Sequence, residues 1–143
     1  MLSGGQRIAE SCAVLMPRRA HYQHAQYFYD LCDKYGLVAW AEIPYITEHL
    51  PEATANTLSQ MEELVTQNYN HPSIICWGLS NEITVTTGVT EDLTANHRLL
   101  NDLCHRLDAT RPTTMAHAFM LDPNDPFVQL PDICSYNLYY GWY

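Results

Sequence analysis

The chain has 143 residues, of which 47% are hydrophobic and 16% are charged, and these proportions are typical of a globular protein. Its net charge of −9 argues against a nucleic-acid partner, because phosphate binding needs clustered lysine and arginine. No stretch approaches the roughly 18 apolar residues of a membrane span, so we expect no membrane partner.

The five cysteines are an odd number and include no Cys-x-x-Cys pair. Three of them lie in apolar runs that are typical of buried thiols, which favours a reducing compartment. No charged head followed by an apolar run is visible at the N-terminus. We therefore predict a cytoplasmic location.

The first half of the chain alternates between helical and extended patterns. Apolar residues at helical spacing predict a helix over residues 22–35, and Gly36 follows as a natural stop. A short strand is predicted over residues 37–43. An apolar stripe then predicts a helix over about residues 52–69, and the strand of residues 74–79 follows it.

The second half continues the alternation. Residues 83–90 are predicted to form a loop, and Thr90 is a suitable capping residue for a helix that ends at Arg111-Pro112. Further strands are predicted over residues 113–118 and 132–138. Strands that alternate with helices predict a parallel sheet with right-handed crossovers.

Periodicity alone does not distinguish a closed barrel from an open sheet. A flavodoxin-like domain would suit the length, but the chain lacks the phosphate-binding turn expected after a strand of such a sheet. Polar residues instead lie at the end of nearly every predicted strand, including a strand expected before the first helix: Arg19 and His21, Glu42, Asn81 and Glu82, His117, and Asn137 and Tyr139. This pattern favours a (β/α)₈ TIM barrel, and since a complete one needs about 250 residues, we predict an α/β fold that is a partial barrel.

The most informative motif is His71-Pro-Ser-Ile-Ile-Cys-Trp-Gly-Leu-Ser-Asn-Glu82. Its apolar run is too short for a helix and predicts a buried strand of a parallel sheet. An amide and a carboxylic acid at the end of such a strand suit sugar chemistry, in which one holds a hydroxyl and the other gives a proton to a glycosidic oxygen.

Four blocks of the chain resemble glycoside hydrolase family 2, the family of β-galactosidases, β-glucuronidases and β-mannosidases. Arg19-Ala-His-Tyr and the stretch ending in Trp40-Ala-Glu42 resemble the second and third barrel strands of that family. The motif that ends in Asn81-Glu82 resembles the fourth strand, and residues 132–143 resemble the sixth. The resemblance implies a partial catalytic domain over residues 18–143, preceded by an unmatched segment over residues 1–17.

The resemblance also implies roles for individual residues. Glu82 matches the general acid/base of a retaining mechanism, and Asn81 matches the residue that bonds the sugar 2-hydroxyl. The other residues expected to bind substrate are His21, Tyr139, its strand neighbour Asn137, and Trp142, which lies beyond a strand end and could flank the sugar.

Two features depart from the family pattern. The nucleophilic glutamate belongs to the seventh strand, which has no counterpart here, so we expect the chain alone to be nearly inactive. Some family members bind magnesium through a Glu-x-His motif, which the stretch up to Glu48-His49 lacks. We therefore predict no metal and no cofactor.

The sequence thus predicts a fragment of a retaining β-glycosidase, most like a β-galactosidase, with a carbohydrate substrate. Specificity for a β-glucuronide or β-mannoside is an alternative. A non-catalytic carbohydrate-binding or interaction module is another. A third is a complete small α/β enzyme that uses Glu82 together with Glu42 as its carboxylate pair.

Overall fold

The computed structural model describes residues 23–138, 140 and 141. Within this part of the chain, helices and strands follow the predicted order: α1 (Gln26–Tyr35), β1 (Ala39–Glu42), α2 (Thr54–Asn68), β2 (Ile74–Asn81), α3 (Glu91–Leu107), β3 (Thr113–Ala118) and β4 (Ile133–Asn137). A short 3₁₀ turn, Pro51–Ala53, leads into α2. The strand expected around residues 19–21 lies outside the described residues.

The helix ends follow from local chemistry. Helix α1 ends at Gly36, whose φ of 66° suits a residue without a Cβ atom. Helix α3 begins after Thr90, whose side-chain oxygen accepts a hydrogen bond from the Leu93 N–H at 3.2 Å. Within the described residues, none of the helices is both long and apolar enough to cross a membrane.

The four strands form one parallel sheet in the order β1-β2-β3-β4, which is also their order in the chain. Helices α2 and α3 pack against each other and against the sheet. A doubly wound sheet reverses its strand order at a switch point, whereas a barrel adds each strand beside the previous one. The sheet therefore has the topology of a barrel segment.

The two faces of the sheet bury different side chains. The helix-covered face holds the apolar core, which includes Tyr29, Ala41, Met61, Leu64, Trp77, Leu79, Leu93 and Leu100. Because side chains alternate along a strand, Trp40 and Glu42 lie on the opposite face, where both contact the position of Gly78. In a closed barrel this second face lines the interior. Trp40 and Glu42 therefore lie inside the barrel, closer to its middle than the polar groups at the strand ends.

Candidate active site

Strand β2 carries Asn81 to the carboxyl end of the sheet. The side chain is buried, and the backbone is held by the loop that follows β1. The Asn81 N–H donates to the Tyr45 carbonyl at 3.0 Å, and the Asn81 carbonyl accepts from the Thr47 N–H at 3.3 Å. The sheet pairing therefore extends two residues beyond the predicted strand end.

Glu82 follows in an uncommon backbone conformation, with a φ of 43°. Its N–H donates to the Ala116 carbonyl at 2.8 Å, and its carbonyl accepts from the Val85 N–H at 3.2 Å. The register between β2 and β3 also shifts between Gly78 and Asn81. Such irregularities change the direction in which side chains point, and here they occur next to the half-buried carboxyl group of Glu82.

Asn137, at the end of β4, joins the two polar residues of β2. Its Nδ2 donates to Asn81 Oδ1 at 2.9 Å and to Glu82 Oε1 at 3.1 Å. Strand β3 lies between β2 and β4, and Ala116 pairs with Asn81 on one side and Ser135 on the other. A small side chain at Ala116 leaves room for this bridge across β3.

Glu42 lies on the same face of the sheet as this cluster, but further from the carboxyl ends of the strands. Burial raises its pKa to about 8, an effect partly offset by the Trp40 indole N–H. Its backbone pairs with Gly78, four residues before Glu82, which corresponds to a separation on the order of 10 Å along the strand. The register therefore disfavours Glu42 as a close carboxylate partner of Glu82.

His117 is not part of the Asn81–Glu82–Asn137 cluster. It is buried on the helix side of the sheet, with its ring centroid 5.8 Å from that of Phe127 and 5.5 Å from that of Tyr136. Burial lowers the pKa of the imidazole. Its place at the end of a predicted strand therefore reflects packing, because the alternation along β3 directs it away from the cluster.

The remaining site predictions have different outcomes. His21, Tyr139 and Trp142 lie outside the described residues, so their roles stay predictions. The backbone carbonyls of Tyr45 and Ala116, which hold Asn81 and Glu82, were not predicted, since no sequence pattern marks a carbonyl acceptor. Among the described residues, no three His, Cys, Asp or Glu side chains form a group that could hold a metal ion.

A family model for the TIM barrel domain of family 2 glycosyl hydrolases matches residues 11–143. Among curated proteins, the β-glucuronidase of Bacteroides fragilis is 40% identical over 135 residues, which cover 88% of this chain and 18% of that protein. Human β-glucuronidase is 30% identical over 135 residues, covering 88% of this chain and 20% of that protein. The chain thus spans about a fifth of the length of these relatives.

Solved structures agree in fold as well as in sequence. The FMN-binding β-glucuronidase of Faecalibacterium prausnitzii L2-6 matches with a TM-score of 0.84 at 40% identity, over 99% of this chain and 23% of that one. Bacteroides uniformis β-glucuronidase matches with a TM-score of 0.82 at 32% identity, over 97% of this chain and 19% of that one. These matches confirm the predicted partial TIM barrel, and the chain belongs to glycoside hydrolase family 2, within its TIM barrel domain.

Proposed function

We propose that this chain contributes the acid/base part of the active site of a retaining β-glycosidase that acts on β-glucuronides. The observation that carries the proposal is the Glu82 carboxyl group, held beside Asn81 and Asn137 at the carboxyl end of a parallel sheet. This end of the strands is where TIM-barrel enzymes build their catalytic sites.

In this proposal Glu82 acts twice. It first gives a proton to the glycosidic oxygen as the bond to the sugar breaks, and it later takes a proton from the water that releases the sugar. Asn81 hydrogen-bonds the sugar 2-hydroxyl, an interaction that strengthens in the transition state. A second carboxylate, about 5–5.5 Å from Glu82, is required as the nucleophile. The register of Glu42 does not suit that role.

The choice of a glucuronide rests on the relatives, since both curated relatives described above are β-glucuronidases. The residues that recognise the rest of the sugar are not identified among those the structure describes. A β-galactoside, the substrate expected from the sequence, is therefore the alternative that the assay must include.

The test places this chain in a larger enzyme. The full chain replaces the matching segment of the Bacteroides fragilis β-glucuronidase, and the purified graft is assayed with nitrophenyl β-glucuronide and nitrophenyl β-galactoside. We expect turnover of the glucuronide, and a fall in kcat of at least about 100-fold in Glu82→Gln. Glu48→Gln changes an exposed carboxyl on a nearby loop and serves as the matched control.

Equal activity of the Glu82→Gln and Glu48→Gln grafts would overturn the acid/base assignment. Turnover of the galactoside in preference to the glucuronide would overturn the substrate assignment and leave the acid/base assignment intact. Thermal unfolding of each graft, followed by circular dichroism, separates lost chemistry from lost folding.

A further inference from the structure

The hydrogen bonds among Asn137, Asn81 and Glu82 fix the orientation of both amide groups. The Asn137 NH₂ group faces Glu82 Oε1 and donates a hydrogen bond to it. The second hydrogen of that group faces Asn81, where it needs an acceptor, and Oδ1 takes this place. The Asn81 NH₂ group is therefore turned away from Asn137.

The same bonds make the two oxygens of Glu82 unequal. Oε1 accepts the Asn137 N–H at 3.1 Å, so this oxygen is the less favourable place for a proton. A proton on the group is then best carried by Oε2. The Glu82 side chain has three rotatable bonds and is flexible on its own. The hydrogen bond that holds Oε1 therefore also restricts the positions that Oε2 can take.

We propose that Asn137 is a positioning residue that makes Oε2 the proton-transferring oxygen of Glu82, rather than a residue that binds the sugar. This inference rests on the proposed function. In the first step the Oε2 proton passes to the glycosidic oxygen, which also takes the electron pair of the breaking C–O bond. The nucleophilic carboxylate bonds to the anomeric carbon. In the second step water attacks that carbon, releases the carboxylate and returns a proton to Oε2.

The geometry gives Asn137 the rigidity that this role requires. Its backbone lies in the parallel ladder, where it pairs with Ala118. Its side chain reaches across β3 and uses both hydrogens of one amide group on two catalytic-site acceptors. Loss of the amide would leave Oε1 without this donor and would let the Asn81 amide turn over.

A sugar-binding role and a positioning role predict different kinetics. A residue that binds the sugar affects all substrates that share the sugar, whatever their leaving group. A residue that aims the acid affects substrates whose leaving group needs a proton and spares those whose leaving group departs as a stable anion. The dependence on the leaving group is therefore a readout that a purely structural defect does not reproduce.

The test uses the graft described above and two substrates, methyl β-glucuronide and 2,4-dinitrophenyl β-glucuronide. In Asn137→Asp, which keeps the shape but lacks the N–H donors, we expect kcat/KM to fall about 100-fold for the methyl substrate and less than about threefold for the dinitrophenyl substrate. Asn137→Ala, which adds no charge, should show the same selective loss. Ser135→Ala removes a β4 hydrogen bond to Thr114 and is the matched control, with little change for either substrate.

Equal losses for both substrates in the two Asn137 variants, or no loss for either, would overturn the positioning role. A folded unsubstituted graft that turns over neither substrate would instead overturn the proposed function, and this inference with it. The dinitrophenyl substrate thus reports on the enzyme as a whole, and the ratio between the two substrates reports on Asn137.

Discussion

The two ends of strand β2 are built in opposite ways. In its first half, Asp108 and Arg111 hold the strand by buried and partly buried hydrogen bonds to a side chain and to backbone carbonyls. At its end, Asn81 and Glu82 lie beyond a register shift, and Glu82 has a positive φ. The comparison separates a region organised for stability from one organised for chemistry.

The first half of β2, up to Trp77, is held by one buried carboxyl group. Asp108 accepts hydrogen bonds from the Trp77 indole N–H at 3.0 Å and from Arg111 at 2.7 Å. Arg111 also donates to the backbone carbonyls of Ile74 and His71. Burial of Asp108 would raise its pKa, but hydrogen bonds from Thr110, Arg111 and Trp77 outweigh burial and lower it from 3.8 to about 2.

At the end of β2, side-chain hydrogen bonds converge on groups that can react. Asn137 connects both side chains to β4. A carboxyl group needed for proton transfer cannot be neutralised by a fixed cation as Asp108 is, because a strong ion pair would hold it in the ionised form. The amide of Asn137 orients Glu82 without adding charge.

The largest expected effect on stability comes from removing the Asp108 carboxyl group. Asp108→Ala removes the acceptor for Trp77 and the partner of Arg111, and we expect the free energy of unfolding to fall by about 3–5 kcal/mol. Urea denaturation of the full chain measures this loss. Asp102→Asn changes an exposed carboxyl on α3 and should stay within about 0.5 kcal/mol of the unsubstituted chain.

Acid should reproduce part of the loss. Since the folded pKa of Asp108 is below its unfolded value, its contribution is complete above about pH 3.8 and is lost as the pH falls toward 2. An Asp108→Ala chain as stable as the unsubstituted one would contradict the distinction between the two ends.

A second substitution tests the close packing midway along β2. A Cβ atom at Gly78 would overlap the Trp40 indole nitrogen and the Glu42 Cβ. We expect Gly78→Ala to lower the free energy of unfolding by about 3 kcal/mol. Gly88→Ala is the comparison, because nothing lies within 4 Å of its Cβ position and only its φ of 69° opposes the change, at about 1 kcal/mol. Equal losses would show that the strand face is not tightly packed at Gly78.

A smaller, pH-dependent effect is expected from Glu42. Its folded pKa of about 8 exceeds its usual value of 4.5, so its contribution to stability is complete below about pH 4.5 and is lost as the pH rises toward 8. The loss approaches about 1.4 kcal/mol per pH unit within that window. Glu42→Gln stays neutral, so its stability relative to the unsubstituted chain should rise between pH 5 and pH 7. Denaturation at both values measures the difference, and a constant difference would contradict the buried, protonated carboxyl.

The sequence predicted the regular elements well because they depend on local patterns. Strand β3 was predicted over residues 113–118, as observed, since Arg111-Pro112 ends the preceding helix and marks where the strand begins. Strand β2 extends to Asn81 instead of ending at residue 79, because the loop after β1 pairs with it through Ile46. Such pairing depends on the tertiary fold and leaves no local signal.

The candidate site was predictable only where a local sequence pattern marks it. A buried run that ends in Asn81-Glu82 indicates a polar strand end from sequence alone. Asn137 was expected to bind substrate, whereas the structure shows its amide bonded to both Asn81 and Glu82. The hydrogen bond between Asn137 and Glu82 joins residues that are 55 positions apart in the sequence, and it depends on the pairing register of β2, β3 and β4.

The central claim is that Glu82 is the acid/base, and chemical rescue tests it most directly. In the Glu82→Ala graft, the dinitrophenyl substrate still loads the enzyme, because its leaving group needs no proton, but release of the sugar by water lacks its base. Azide attacks without such a base. We predict that azide restores turnover of Glu82→Ala and yields the β-glucuronosyl azide, with no acceleration of the unsubstituted graft. Failure of azide to restore turnover in a folded, substrate-binding Glu82→Ala graft would contradict the assignment.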